Sequence, residues 1–250
     1  MPKFAVYYIP EVDKANSKYF KFYHLGSSIL GYDVRAGDPV PMPSELRAKL
    51  GEFDPAWQTC AQSYGFHLTI GDAIDFNFGD LHQIEAELLA ILNCFASSEK
   101  FKLEQSSDFV PDWGAPIVLR YDPNEHLRAL HALVVSRINT IGTGSRLLRR
   151  YLEHPNQYIN EPHKASRILK FYSPRILGDF YPHFTLLNPY TGTNRTALVR
   201  ALKQVFDKFT KFTVNSICLL VQYSAEKNWI IYKEFKRNTL GKWSGISKGT

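Results

Sequence analysis

Two tetrapeptides share one pattern, a histidine, an apolar residue, a threonine and an apolar residue: His67-Leu68-Thr69-Ile70 and His183-Phe184-Thr185-Leu186. On an extended strand, side chains two apart point to one face about 6–7 Å apart. Each block therefore sets an imidazole and a hydroxyl on one side and two apolar groups on the other. From the chain's own composition, two of its eight histidines both heading such a block is expected roughly a few times in a thousand. A fold for this chain has to accommodate two strands with the same half-polar, half-apolar character.

The surroundings of the two blocks also repeat. Phe101 lies 34 positions after His67 and Ile117 a further 16, while Phe212 lies 29 after His183 and Ile230 a further 18. Apolar spacing predicts a strand over 66–74, a helix over 81–95, and strands at 101–103 and 116–121. The second half then predicts a strand over 181–187, a helix over 197–209, and strands from 212 and over 229–232. Another helix is predicted from 125 to 141, stopped by Gly142-Thr143-Gly144. The expected fold class is α+β, a bilobal pseudo-symmetric duplication of two mainly antiparallel sheets with helices on the outside and a central cleft. Residues 1–237 would form one domain with lobes of roughly 1–142 and 143–237, and 238–250 a fraying tail. The Gly- and Pro-rich stretch from Gly26 to Pro43 reads as an ordered excursion with little regular structure.

A hydrophobic content of 44% with 14% aromatic residues supplies an ample core. No apolar run is long enough to span a membrane, and the start reads as a strand rather than a secretory signal, so the expected location is cytoplasmic. Cys60, Cys94 and Cys218 are widely spaced and read as reduced thiols. Within the net charge of +6, residues 144–175 concentrate Arg146, Arg149, Arg150, Lys164, Arg167, Lys170 and Arg175 against Glu153 and Glu161. That segment suits a phosphate-bearing ligand, and a solvated helix face is the ordinary alternative.

Two imidazoles and two hydroxyls converging on one cleft suit in-line displacement at phosphorus. The reaction needs a base on the entering oxygen and an acid on the leaving oxygen, and a ring with an ordinary pKa near ~6.5 serves either role. Thr69 and Thr185 would donate to the non-bridging oxygens as charge builds. The same-face rule adds Tyr181, a candidate for stacking on a base or sugar with strand-end packing as the alternative, and Gly71, whose missing side chain would leave room for a ligand. Tyr190, in a turn, and Arg120, at a strand end, are further candidates for substrate contact. His126 and His131 are five apart, no H-E-x-x-H occurs, and neither a metal nor a cofactor is expected. Gly142-Thr143-Gly144-Ser145 is read as a helix stop followed by an N-cap at Ser145 rather than a nucleotide loop. His154 and His163 flank a Pro-containing loop as surface residues or ligand contacts.

At the paired blocks the sequence resembles the 2H phosphoesterase superfamily, which contains bacterial RNA 2′,5′-ligase-like proteins and cyclic phosphodiesterases. The Tyr-rich first strand, Leu30-Gly31-Tyr32-Asp33 with Gly37-Asp38-Pro39-Val40, and Tyr64-Gly65-Phe66-His67 are similar to the branch often encoded beside phosphonate-degradation genes. The resemblance implies that His67 and His183 are catalytic and that Thr69 and Thr185 bind phosphate oxygens. Where that branch has a basic residue after the first block, this chain has Gly71-Asp72-Ala73, so no phosphate-binding lysine is carried over. The expected activity is metal-independent hydrolysis of a cyclic phosphodiester or a 2′,5′-linked nucleotide or RNA end, with no obligate protein partner. The alternatives are a binding module that holds a nucleotide or RNA end without turning it over, and a scaffold for a partner protein.

Overall fold

The first strand, β1 (Lys3–Tyr8), is apolar from Phe4 to Tyr8 and buried along that whole run, as a strand in the middle of a sheet must be. A computed structural model of the chain, describing residues 1–12 and 17–247, shows the sheet built around it. α1 (Lys18–Leu30) follows, with the Ser17 hydroxyl accepting from the Phe20 N–H at its start and Gly31 in the left-handed region at its end. A two-stranded ribbon, β2 (Tyr32–Asp33) and β3 (Asp38–Pro39), and α2 (Ser44–Leu50) lead to β4 (Leu68–Asp75). Then come α3 (Leu81–Asn93), β5 (Phe101–Gln105), β6 (Ile117–Pro123) and α4 (Glu125–Leu133), which continues as single π and 3-10 turns to Ile141. β7 (Gly144–Ser145), α5 (Arg146–Glu153) and α6 (Pro162–Phe171) precede β8 (His183–Leu187), α7 (Arg195–Phe206), β9 (Lys211–Val214), β10 (Ser216–Gln222), β11 (Ile230–Arg237) and β12 (Trp243–Ser247).

Ten of these strands form one large curled antiparallel sheet in the order β12-β11-β10-β1-β4-β8-β6-β5-β9, with β7 added to β4. Two sheets were expected; besides this one, the described residues form only the small β2/β3 ribbon. A cut at 142/143 does not divide the sheet either. β4 is flanked by β1 from the N-terminus and by β10, β11 and β12 from the C-terminus, while β8 is flanked by β6, β5 and β9. The chain pairs its ends with each other rather than closing each half on itself.

Three local expectations are corrected. Gly26 to Leu30 is the last part of α1, not irregular chain, because Phe22, Tyr23, Ile29 and Leu30 give that segment a buried stripe. The segment after Asn238 does not fray as a whole: β12 pairs with β11, Trp243 is buried against Phe101, and its backbone bonds the Asn93 side chain at both ends. Residues 248–250 of the expected tail lie outside the described residues. The third concerns Gly71. Register between β1 and β4 slips by one residue at two places, from Phe4↔Ile74 to Val6↔Gly71 to Tyr7↔Thr69. These bulges break strict alternation. Gly71 thus shares the face of buried Val6, and a Cβ there would stand 2.7 Å from Val134 Cγ1, so the glycine admits the π-turn and not a ligand.

The two blocks meet over an aromatic core. Phe66, just before His67, stacks on Phe184, just after His183, with centroids 4.9 Å apart, and Phe22 of α1 sets its ring edgewise against both. Gly26 allows this approach, since a Cβ there would stand 2.3 Å from the Phe66 ring. Among the described residues no helix is long and apolar enough to cross a membrane.

Candidate active site

β4 and β8 touch through one residue pair, Leu68↔Phe184. Continuing that register one residue each way sets His67 across from Thr185 and Thr69 across from His183. His67, Thr69, His183 and Thr185 are all half-buried, while Leu68, Ile70, Phe184 and Leu186 are in the core, as the alternation predicts.

The two rings are held alike. His67 Nδ1 lies 2.9 Å from the Gly65 carbonyl and His183 Nδ1 lies 2.8 Å from the Tyr181 carbonyl, in each case the residue two earlier. A carbonyl only accepts, so Nδ1 carries the proton and donates in both rings, leaving Nε2 of each neutral imidazole as the unprotonated, accepting nitrogen. Gly65 makes the first of these turns at φ 69°, where a side chain would also meet Val34. Tyr181, immediately before Pro182, makes the second. Each ring also has an aromatic neighbour: Tyr7 stacks on His67 at 3.8 Å and Trp113 stands edgewise to His183 at 5.0 Å. The Thr69 hydroxyl lies 3.3 Å from His67 Nε2 and donates to it.

A cleft of about 510 Å³ opens in front of these groups, lined by His67, Thr69 and Thr185 and by Tyr7, Tyr64 and Asp72. His183 is not among the lining residues; it lies two residues before Thr185 on the same face of β8 and feels the charges of Arg175 and Asp72, which do line the cleft. The double bulge in β4 allows Asp72 to reach the cleft, which period-two alternation from His67 could not anticipate. Lys3, Arg146 and Arg175 also line it, and among the described residues none of the three has a carboxylate within ion-pair distance. The rest of the basic segment is mixed: Arg149 pairs with buried Asp75, Arg167 with Asp179 and Lys164 with Glu161. Ser145 is an N-cap as expected, accepting from the Leu148 N–H.

The weaker sequence candidates are placed elsewhere. Tyr181 contributes its carbonyl to His183, while its exposed ring lies over the Arg120 guanidinium at 5.3 Å. Arg120 is the cross-strand neighbour of His183, 3.5 Å from Asp122, but neither it nor Tyr181 lines the cleft. Tyr190 is buried against Trp57 at 4.7 Å. His154 and His163 are exposed at the starts of a 3-10 turn and of α6. His131, unassigned by sequence, is buried flat on Phe180, with Nδ1 2.7 Å from the Ile70 carbonyl and Nε2 3.0 Å from the Arg175 carbonyl. It ties β4 to the loop that carries Arg175. Burial lowers its pKa, while the two carbonyls, which only the imidazolium can satisfy together, pull upward. Among the described residues no cluster of three or more His, Cys, Asp or Glu is placed to hold a metal ion.

Burial lowers the pKa of His67 to about 4, opposed by the Gly65 carbonyl and assisted by the charge of His183. Burial likewise lowers His183 to about 4, opposed by the Tyr181 carbonyl. Above pH ~6.5 both rings are neutral folded or unfolded and add no pH dependence. As pH falls from there through 4, the unfolded chain takes up protons that the folded rings refuse, so stability falls. A full shift would correspond to ~3 kcal/mol per ring at 1.36 kcal/mol per unit; both rings open toward solvent, so about 1–2 kcal/mol each is expected. Urea denaturation between pH 7 and 4 should show that loss, and a His67→Gln/His183→Gln variant should show a flatter profile. Imidazole proton resonances that titrate near 6.5 for both residues would refute it.

No known protein-family model matches the chain, and no curated protein matches it.

Proposed function

We propose that the chain is a metal-independent phosphoesterase acting on a cyclic phosphodiester or a 2′,5′-linked nucleotide or RNA end, with His67 and His183 as its acid–base pair. One observation carries this reading: two imidazoles held through Nδ1 by the carbonyl two residues earlier, each with Nε2 left as the unprotonated nitrogen and a threonine two residues on. Stray histidines on strands have no reason to share that arrangement. The resemblance to 2H phosphoesterases at the same four residues supports it. So does the order strand, helix, strand, strand after each block, which we read as a bilobal pseudo-symmetric duplication.

The chemistry follows from the residues. With both rings near pKa 4, neither carries the acid's proton at neutral pH. A phosphodiester anion between them favours the imidazolium and draws one proton onto the pair, so that binding creates the acid while the other Nε2 remains the base. Water attacks phosphorus as the base takes its proton, and the acid returns a proton to the leaving ribose oxygen. Thr69 and Thr185 donate to the non-bridging oxygens, Thr69 by turning its hydroxyl from Nε2 toward the phosphate. Arg175 adds positive charge beside His183.

The same low pKa values favour one other reading, a binding module whose rings stay neutral and turn nothing over. A panel of 2′,3′-cyclic nucleotides, ribose cyclic phosphate and 2′,5′-linked dinucleotides, assayed with chelator present, separates the two. Chelator-resistant cleavage of at least one member is expected. Saturable, salt-sensitive binding without product from any of them would establish the module instead.

A further inference from the structure

The cleft carries more positive charge than one phosphodiester needs, and the charge is divided between its ends. Arg175 lies at the histidine end, within electrostatic range of His183. Lys3 and Arg146 lie at the other. In the strand register Lys3 lies opposite Asp75 at the far end of β4, whose carboxylate is taken by Arg149, and Arg146 follows Ser145, which lies opposite Ile74. Tyr7, which stacks on His67, is four residues from Lys3 along β1, roughly 13 Å at 3.3 Å per residue. Less the reach of a lysine side chain, that separation is the span of one nucleotide bearing a phosphate at each end.

Arg146 and Lys3 face the same cavity as His67 and Thr69, and no carboxylate among the described residues is within ion-pair distance of either. The neighbouring Arg149, Arg167 and Lys164 each have one. Two cations left together in a cleft repel each other, and a doubly charged anion relieves that. Arg146 also opens α5, whose positive end adds the same sign there.

Resting on the phosphoester reading of the histidine end, we propose that Lys3 and Arg146 form a second phosphate subsite, so that the preferred substrate is a cyclic phosphodiester that also bears a terminal phosphate monoester. The histidine pair acts on the diester while Lys3 and Arg146 hold the monoester at the β7/α5 end. Substrates with the diester alone bind in the same place without that anchor.

The probes are adenosine 3′-monophosphate and adenosine 3′,5′-bisphosphate, titrated calorimetrically into the intact protein and a Lys3→Ala/Arg146→Ala variant whose fold is checked by circular dichroism. The second phosphate is expected to tighten binding by at least tenfold at low salt, and the variant to bring the ratio of the two dissociation constants close to one. Arg146 is exposed, so Arg146→Glu alone provides a second test, in which the ratio falls below threefold. Equal binding of the two ligands by the intact protein, or a tenfold advantage surviving in both variants, overturns the subsite. Turnover of 2′,3′-cyclic AMP with and without a 5′-phosphate is measured in parallel. No turnover of either, with the binding ratio behaving as expected, defeats the catalytic reading and leaves the subsite standing; equal turnover of both with a ratio near one does the reverse.

Discussion

Alanine at His67 or at His183 is expected to lower kcat on the best substrate of the panel by about 10²–10⁴-fold, the range for a lost general acid or base. The double variant should lose little more than the worse single variant, because the two rings act on one proton-transfer sequence and their effects do not add. His67 also supports the Tyr7 ring, so His67→Gln serves as the companion that keeps the volume and removes the chemistry. Single variants retaining activity within threefold of the intact protein would end the acid–base assignment. Loss of activity at one histidine alone would leave a site with one proton carrier and a different partner for it.

A Gly26→Val substitution is expected to destabilise the fold by about 3 kcal/mol, at the upper end for overpacking a filled core, measured as a shift in the urea midpoint at unchanged slope. The side chain would enter the Phe66 ring, which is itself fixed between Phe22 and Phe184. Phe66 cannot yield without moving Gly65 and His67 on either side of it, so kcat should fall in the protein that remains folded. Gly79 is the control: a Cβ there meets nothing within 4 Å, and Gly79→Ala should change neither quantity by a measurable amount. A Gly26 variant as stable as the intact protein would mean that α1 does not pack on the first block as closely as the ring geometry requires.

The two blocks were legible because strand alternation is local, and the four residues His67, Thr69, His183 and Thr185 fall on the face it assigns. Alternation failed at Gly71 and Asp72 for a reason no single strand contains: the bulges exist only in the pairing of β4 with β1. Reading 67, 69, 71 along one face put a glycine in the cleft where an aspartate stands. The basic segment divided in the same way. Sequence shows seven cations together, but only the fold shows that Asp75 reaches one of them from β4 and Asp179 another from beyond α6, while Arg146 and Arg175 are left to the cleft. α1 was hidden by its aromatic composition, since Phe20, Phe22 and Tyr23 argue for a strand as readily as for a helix. Trp243 shows how one large side chain can tie in a segment that otherwise looks like a tail. Tyr7 and Lys3 could have been found only by knowing that β1 lies beside β4, a long-range fact.

Because β1 lies between β4 and β10, it acquires its second neighbour only once β10, about two hundred residues further along the chain, has been made. Until then Tyr7 and the backbone beside it present an open apolar edge, the kind of surface that chaperones hold and that aggregates when they do not. Completion of this sheet is therefore expected to wait for β10, and a message truncated before residue 216 to yield no half-active fragment, since the strand that supports His67 would lack its partner.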